Sequence, residues 1–334
     1  YDWLEDQYNN PEKNVIHYWV MGGESTMAYL QQGLRGQMKQ YDFWNGIKTM
    51  FNLVTMPDKV TEGKLLIEPY YDVFLGNPLT KQLDWTELVD ADNMKIEPLN
   101  KIPKSTTFTY ERDEPDFRAT QYFNATGGYV YGAKTYEAGD QFFSLLTGEK
   151  KIEAKPFAPT ISAPLTMLFP DFICSHIYTK TDEGYRPFEN KPRILIDEGI
   201  FNTPIAQSGN QMVYGTTDVG FFFTSYTTYN RMTHLSLIPT SSATDDLNFG
   251  ECPLVQPLGA SPVNNLFNTF WKPYYDALYN PDAKIVKLKM RLTPKNLAEF
   301  EFYDTVMVKN REYRVNKIQY NSGLLASVEL ILIP

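Results

Sequence analysis

Residues 284–332, KIVKLKMRLTPKNLAEFEFYDTVMVKNREYRVNKIQYNSGLLASVELIL, are the stretch from which the fold can be read. Val286, Leu288, Met290 and Leu292 alternate with Lys287, Lys289 and Arg291. In a strand, successive side chains point to opposite faces, so this pattern predicts a half-buried strand with a cationic outer face. Thr293-Pro294 offers a cap followed by a first helical residue, and a short helix runs on through Phe300. Further strands are expected at Thr305–Lys309 and Glu312–Tyr320, with Asn310 in the turn between them. Asn321-Ser322-Gly323 then turns into a third, LASVELILI. Short β-rich runs separated by such turns make an antiparallel meander.

Immediately upstream the period changes. Val263, Leu266, Phe267, Phe270, Trp271, Tyr274 and Leu278 recur at helical spacing, which predicts a helix over 262–279. Ser261 would cap it and Pro262 would open it. Pro273 lies inside the run and removes a backbone donor, so a kink is expected near Thr269. Residues 41–56 read as a short amphipathic helix weakened by Gly46 and ended at Pro57-Asp58. GKLLIEPYYDVFL at 63–75 reads as strand, with Pro69 at an edge or bulge. In LDWTELVDADNMKIEPL, Asp84 is a candidate cap for one helical turn. STTFTY, ATQYF and GGYVYGAKTY within 104–136 read as strands of period two. Pro156, Pro159, Pro164 and Pro170 mark 155–170 as a linker or domain crossing, and PRILIDEG after it reads as a short buried strand.

The chain has 334 residues, enough for about two domains. Its 23 Tyr, 21 Phe and 5 Trp favour strands and contact surfaces, and 22 Pro with 20 Gly punctuate many loops. The fold class expected is mainly β, a β-rich α+β chain. It has two β-barrel-like domains, a few short helices and the C-terminal meander. The domains are drawn as 1–155, which could interleave with the second, and 156–334, holding helix 262–279 and meander 284–333. A net charge of −9 disfavours a general nucleic-acid surface. No apolar run reaches the roughly 18 residues of a membrane helix. The first residue, Tyr1, and the lack of a signal-peptide pattern suggest a piece of a longer polypeptide or a processed chain.

Candidate chemistry is sparse. Asp197-Glu198, Asp245-Asp246 and the cluster Asp113, Glu114, Asp116 could supply an acid and a base for sugar cleavage. Adjacent strand residues face apart, however, and solvated loops are the plainer explanation of such pairs. Cys174-Ser175-His176 lacks a GxSxG frame. Cys174 and Cys252 read as small packed hydrophobes, with a disulfide between them left open. His17, His176 and His234 show no metal-ligand spacing. Gly22-Gly23 and Gly127-Gly128 are not phosphate loops, and Asn124-Ala125-Thr126 is a chance-level glycosylation triplet. No cofactor is expected. The remaining signal is charge: residues 284–317 carry +5, leaving −14 for the rest. A basic sheet on one subunit could meet an acidic neighbour, or face passing nucleic acid. A solvated strand face that resists edge aggregation is the plain alternative. Lys287, Lys289 and Arg291 are the candidate subunit-contact or lumen face.

Several phrases, in this order, carry a resemblance. They are MFNLV at 50–54, GKLLIEPYYDVF at 63–74, LDWTELVDADNMKIEP at 83–98, KPRILIDEG at 191–199 and DDLNFGE at 245–251. The longest spans 264–320, from NNLFNTFWKPYYDALYNPDAKIV to NREYRVNKIQY, and VELILI closes the chain. The series resembles tail hub and baseplate-type virion structural proteins of large tailed bacteriophages, crAss-like or related. The resemblance implies β-barrel-like domains set around a central channel. It implies a ring-like homo-oligomer in the virion tail, in contact with other tail proteins and transiently with passing DNA. It implies no catalytic residues. A receptor- or glycan-binding tail module and a tail-tip cell-wall hydrolase are the competing functions.

Overall fold

The computed structural model describes residues 38–58, 61–98, 102–114, 116–139, 146–159, 162–166, 169–175, 178–181, 184–187, 191–194, 196–201, 211–216, 229–233, 245–252, 263–321 and 323–333. The chain is mainly β, with several sheets and a few short helices. The strands are β1 (Leu53–Pro57), β2 (Leu65–Pro69), β3 (Gln82–Asp84), β4 (Val89–Pro98), β5 (Ser105–Thr109), β6 (Lys134–Glu137) and β7 (Glu149–Glu153). They continue with β8 (Ser162–Thr166), β9 (Phe169–Ser175), β10 (Tyr178–Thr181), β11 (Gly184–Pro187), β12 (Ile196–Phe201), β13 (Gln211–Thr216) and β14 (Tyr229–Thr233). The last are β15 (Asp245–Asp246), β16 (Asn264–Asn265), β17 (Lys284–Met290), β18 (Thr305–Val308), β19 (Arg311–Gln319) and β20 (Ala326–Leu332). The helices are α1 (Gln40–Met50), α2 (Tyr70–Phe74), α3 (Phe117–Ala125), α4 (Lys272–Leu278) and α5 (Pro294–Glu299).

The chain falls into two compact units. Among the described residues, one lies within Tyr1–Ile47, Phe108–Lys134 and Ile152–Phe267; the other lies within Lys48–Thr107, Thr135–Lys151 and Asn268–Pro334. A cut at 155/156 would sever the ladders by which β3 and β4 join the C-terminal strands.

The second unit is built on a six-stranded sheet of order β3-β18-β19-β20-β17-β4. Strands β18, β19 and β20 form the meander, and β17 returns beside β20 rather than beside β18. This is a Greek-key order, its long connection carrying α5. The β18–β19 turn has positive φ at both Lys309 and Asn310, the mirror-image geometry that matches strand twist. The two edge strands, β3 and β4, are consecutive in sequence and joined by a single 3₁₀ turn at Thr86–Leu88. A short tie between opposite edges requires the sheet to curl, and it forms a half-barrel. Asp84 sets the turn: its Oδ1 accepts from the Thr86 amide at 2.9 Å. Inside the curl lie Trp85, Val286, Leu288, Met290, Val306, Val308, Tyr313, Val315, Val328 and Leu330. Each such side chain contributes about 1.5–3 kcal/mol when fully buried. Phe300 closes over Trp85 at 5.3 Å, just beyond α5. A capping box between Thr293 and Asn296 starts that helix, with Pro294 in its first turn.

Helix α4 begins later than expected. Asn264–Asn265 pairs with Asp245–Asp246 instead of coiling, and Ser261 and Pro262 lie outside the described residues. Phe267–Trp271 is a π turn, and α4 follows with Pro273 in its first turn. The prolyl nitrogen cannot serve the Thr269 carbonyl, and the wide turn sits where that bond is missing. The Trp271 indole donates to the Thr49 carbonyl at 3.0 Å, and Asn52 donates to the Phe270 carbonyl.

Other expectations are corrected. YYDVF is the helix α2, entered from Pro69, not strand. ATQYF lies in α3, because Ala119 and Tyr122 sit one helical turn apart and pack with Tyr131 and Cys252. Tyr129 to Tyr131 lie outside any strand: positive φ at Gly127, Gly128 and Gly132 turns the chain there. The proline-rich stretch at 155–170 is not a bare linker. It enters β8 and β9 of a five-stranded sheet of order β12-β14-β13-β9-β8, and Pro164 lies on its edge strand. The first unit also holds Phe108 against Phe249 and Phe267, while the Tyr110 hydroxyl donates to the Leu247 carbonyl at 2.5 Å. No helix among the described residues is long and apolar enough to cross a membrane.

Candidate functional site: the charged outer face of the six-stranded sheet

Strand β17 has the alternation its sequence dictates. Val286, Leu288 and Met290 are buried, Leu292 beyond the strand is buried too, and Lys289 and Arg291 are exposed. Antiparallel pairing places Lys287 opposite Lys95 of β4 on one side and Glu329 of β20 on the other. Glu329 in turn lies opposite Lys317 of β19. Charges of both signs therefore run as a row across four strands.

The row is ion-paired in part. Lys287 Nζ lies 2.7 Å from Glu97 Oε2, and Lys95 Nζ lies 2.5 Å from Glu97 Oε1. Asn316 donates to Glu329 Oε1 at 2.6 Å. Hydrogen bonds from Lys287 and Lys95 hold the Glu97 carboxyl down to about 2, and the bond to Glu97 raises Lys287. Lys289 and Arg291 form no ion pair among the described residues, so they are the cations this face offers to a neighbour. Elsewhere the same face is covered. Arg314 donates to the Tyr70 hydroxyl at 2.9 Å, and Tyr70 packs tilted against Phe74 and edge-on against Tyr274.

The three sequence-nominated cations thus share one face, but they are not alike. Lys287 is bound into the sheet, whereas Lys289 and Arg291 point out. Sequence reading missed Glu97 as the partner of Lys287. The alternation Lys95-Ile96-Glu97 was the available signal, since it puts Lys95 and Glu97 on one face of β4.

The acidic cluster of the first unit is a separate constellation. Arg193 Nη2 donates to Asp113 Oδ2 at 2.9 Å and to Asp116 Oδ2 at 2.8 Å, and Nη1 reaches the Pro159 carbonyl. Both carboxylates are almost fully buried, 1 % and 2 % exposed. The Lys191 amide also donates to Asp113, and Lys191 Nζ pairs with Glu111 at 2.7 Å. Burial raises the Asp113 carboxyl against the pull of Arg193. Asp116 accepts from the Ala119 amide at the start of α3. Glu114 is exposed and pairs with Arg112. Both carboxylates are held by the one buried guanidinium. The cluster is a clamp between loop 111–116 and segment 191–193.

Cys252 is a buried thiol beside Tyr122 and Tyr131, as its packing role requires. Cys174 lies on β9, and its side chain is outside the described residues, as are His17, His176 and His234. Asp197 and Glu198 follow one another on β12 at a break in its pairing register. Among the described residues, no three His, Cys, Asp or Glu side chains gather to hold a metal ion. No protein-family model matches the chain, and no curated protein matches it in sequence.

Proposed function

We propose that the chain is a structural component of a bacteriophage tail, a hub, baseplate or tail-channel ring subunit. It assembles with copies of itself, contacts other tail proteins and serves attachment and genome delivery. The observation that carries this reading is the face of the curled sheet. A rigid ladder fixes the row Lys95–Lys287–Glu329–Lys317 and leaves Lys289 and Arg291 projecting beside it. The sheet fixes the backbone positions of these cations, so only their side chains are left to order at assembly, which suits them to an acidic neighbour or to DNA phosphates. The rest of the chain carries a net −14, the opposite sign that a heterologous contact between unlike patches calls for. The ordered series of tail-protein-like phrases supports the same reading.

Reversal of Lys289 and Arg291 to Glu tests it. Both are exposed and lie outside the core, so the fold is retained. The expected result is loss of ring assembly, or of infectivity when the change is carried in the phage. Assembly and titre equal to wild type would refute the contact role.

A further inference from the structure

We propose that the hairpin β1–β2 pairs edge-on with strand β4 of a second copy of the chain. This partner assignment rests on the self-assembly proposed above and names its contact. The hairpin is a two-stranded sheet, and such a ribbon is marginal in water without a covering partner. Both of its faces expose apolar side chains: Leu65 is 58 % exposed, Leu66 37 % and Ile67 40 %. Strand β4 is an edge of the six-stranded sheet, and its Ile96 is 56 % exposed although it lies in the row of buried Val286.

Backbone parity selects the groups that meet. The Tyr70 amide donates to Asn52, and the Asp58 amide donates to Lys64, across the hairpin. Hydrogen-bonded positions alternate in an antiparallel pair, so Leu66 and Glu68 bond to β1. Leu65 and Ile67 then present their amides and carbonyls outward, and Pro69 presents a carbonyl alone. On β17 the Arg291 amide bonds to the Leu88 carbonyl. The same alternation turns Lys287 and Ile285 toward β4, and their partners Lys95 and Glu97 toward β17. Met94 and Ile96 therefore present amides and carbonyls to the open edge, and Pro98 a carbonyl alone.

Antiparallel docking with Ile67 opposite Ile96 lets these two residues exchange both N–H···O bonds. Leu65 then donates to Pro98, and Met94 donates to Pro69; these pairs close the two ends of the ladder, where the Leu65 and Met94 carbonyls face prolines without an N–H and stay open to water. The same register sets Glu68 opposite Lys95 on the outer face. Glu68 has no ion-pair partner among the described residues. A slip by two in one direction sets Glu68 against Glu97, a like-charge pair. A slip in the other direction leaves Glu68 without Lys95.

The test uses the full chain. In the proposed register Leu66 faces Glu97 at a non-hydrogen-bonded site, where Cα atoms lie about 4.5 Å apart and a disulfide can form. Leu66→Cys with Glu97→Cys should give inter-chain cross-linked species under mild oxidation. The slipped pair Leu66→Cys with Lys95→Cys, and the wild-type chain, should not. Glu68→Lys should raise the self-dissociation constant about fivefold or more, and Glu68→Lys with Lys95→Glu should restore it. Wild-type assembly with no Leu66–Glu97 cross-link and no effect of Glu68→Lys would overturn the hairpin contact and leave the ring reading standing. Cross-linking of the slipped pair instead would overturn the register. A wild-type chain that never self-associates would overturn both.

Discussion

At the residue scale, the side chains with the most at stake are Asp113, Asp116 and Arg193. Two buried carboxylates share one guanidinium, so loss of that guanidinium leaves two charges in a poorly solvated place. Breaking a buried pair by removing one partner typically costs about 3–5 kcal/mol. Arg193→Ala should lower stability by that order, read from urea midpoints at neutral pH. The pH dependence has a definite sign. The folded pKa of Asp113 is raised, so the folded state holds its proton to higher pH than the unfolded state. That contribution favours folding at low pH and is lost as pH rises above the ordinary carboxylate value. Without Arg193 the shift grows, so the deficit of the variant should shrink on acidification. A deficit that is flat with pH would contradict the clamp. The acidic residues of this cluster stand out in the sequence, but Arg193 lies 77 positions from Asp116 and no local pattern announces it.

At the element scale, the legible parts were those in which one residue's neighbours in sequence decide its environment. The alternation of β17 and the turn at Asn310 are of this kind. The 3₁₀ turn set by Asp84 is local too. The misread parts share a cause. Five-residue windows such as YYDVF and ATQYF fit either period, and packing decides between them. Gly46 shows how tertiary contact overrides propensity. In a free helix, Gly46→Ala would gain about 1 kcal/mol. Here an added Cβ would meet the Lys155 carbonyl and lie 2.7 Å from the Phe157 ring. Overpacking of this kind costs about 1–3 kcal/mol, and a backbone carbonyl cannot swing aside as a side-chain tip can. Gly46→Ala should therefore destabilise the chain in thermal unfolding. A higher melting temperature would show that the helix is free to shift away.

At the scale of the whole molecule, the sequence carried the fold class but not the pairing of strands far apart in the chain. The ladders that tie β3 and β4 to the C-terminal strands join residues about two hundred positions apart, and pairing at that distance has no local signature. The same holds for the partner of Lys287: its charge is local, but Glu97 reaches it only through strand register. Among the described residues, what remains outward after these pairings is two sheet edges and the cations Lys289 and Arg291 on one curled sheet. Such features make physical sense in a subunit that completes itself against copies. The most direct measurement is the native mass and image of the purified chain, by light scattering and negative-stain microscopy. The account predicts a closed ring with a central hole. A monodisperse monomer across the accessible concentration range, with no ring in the images, would contradict it.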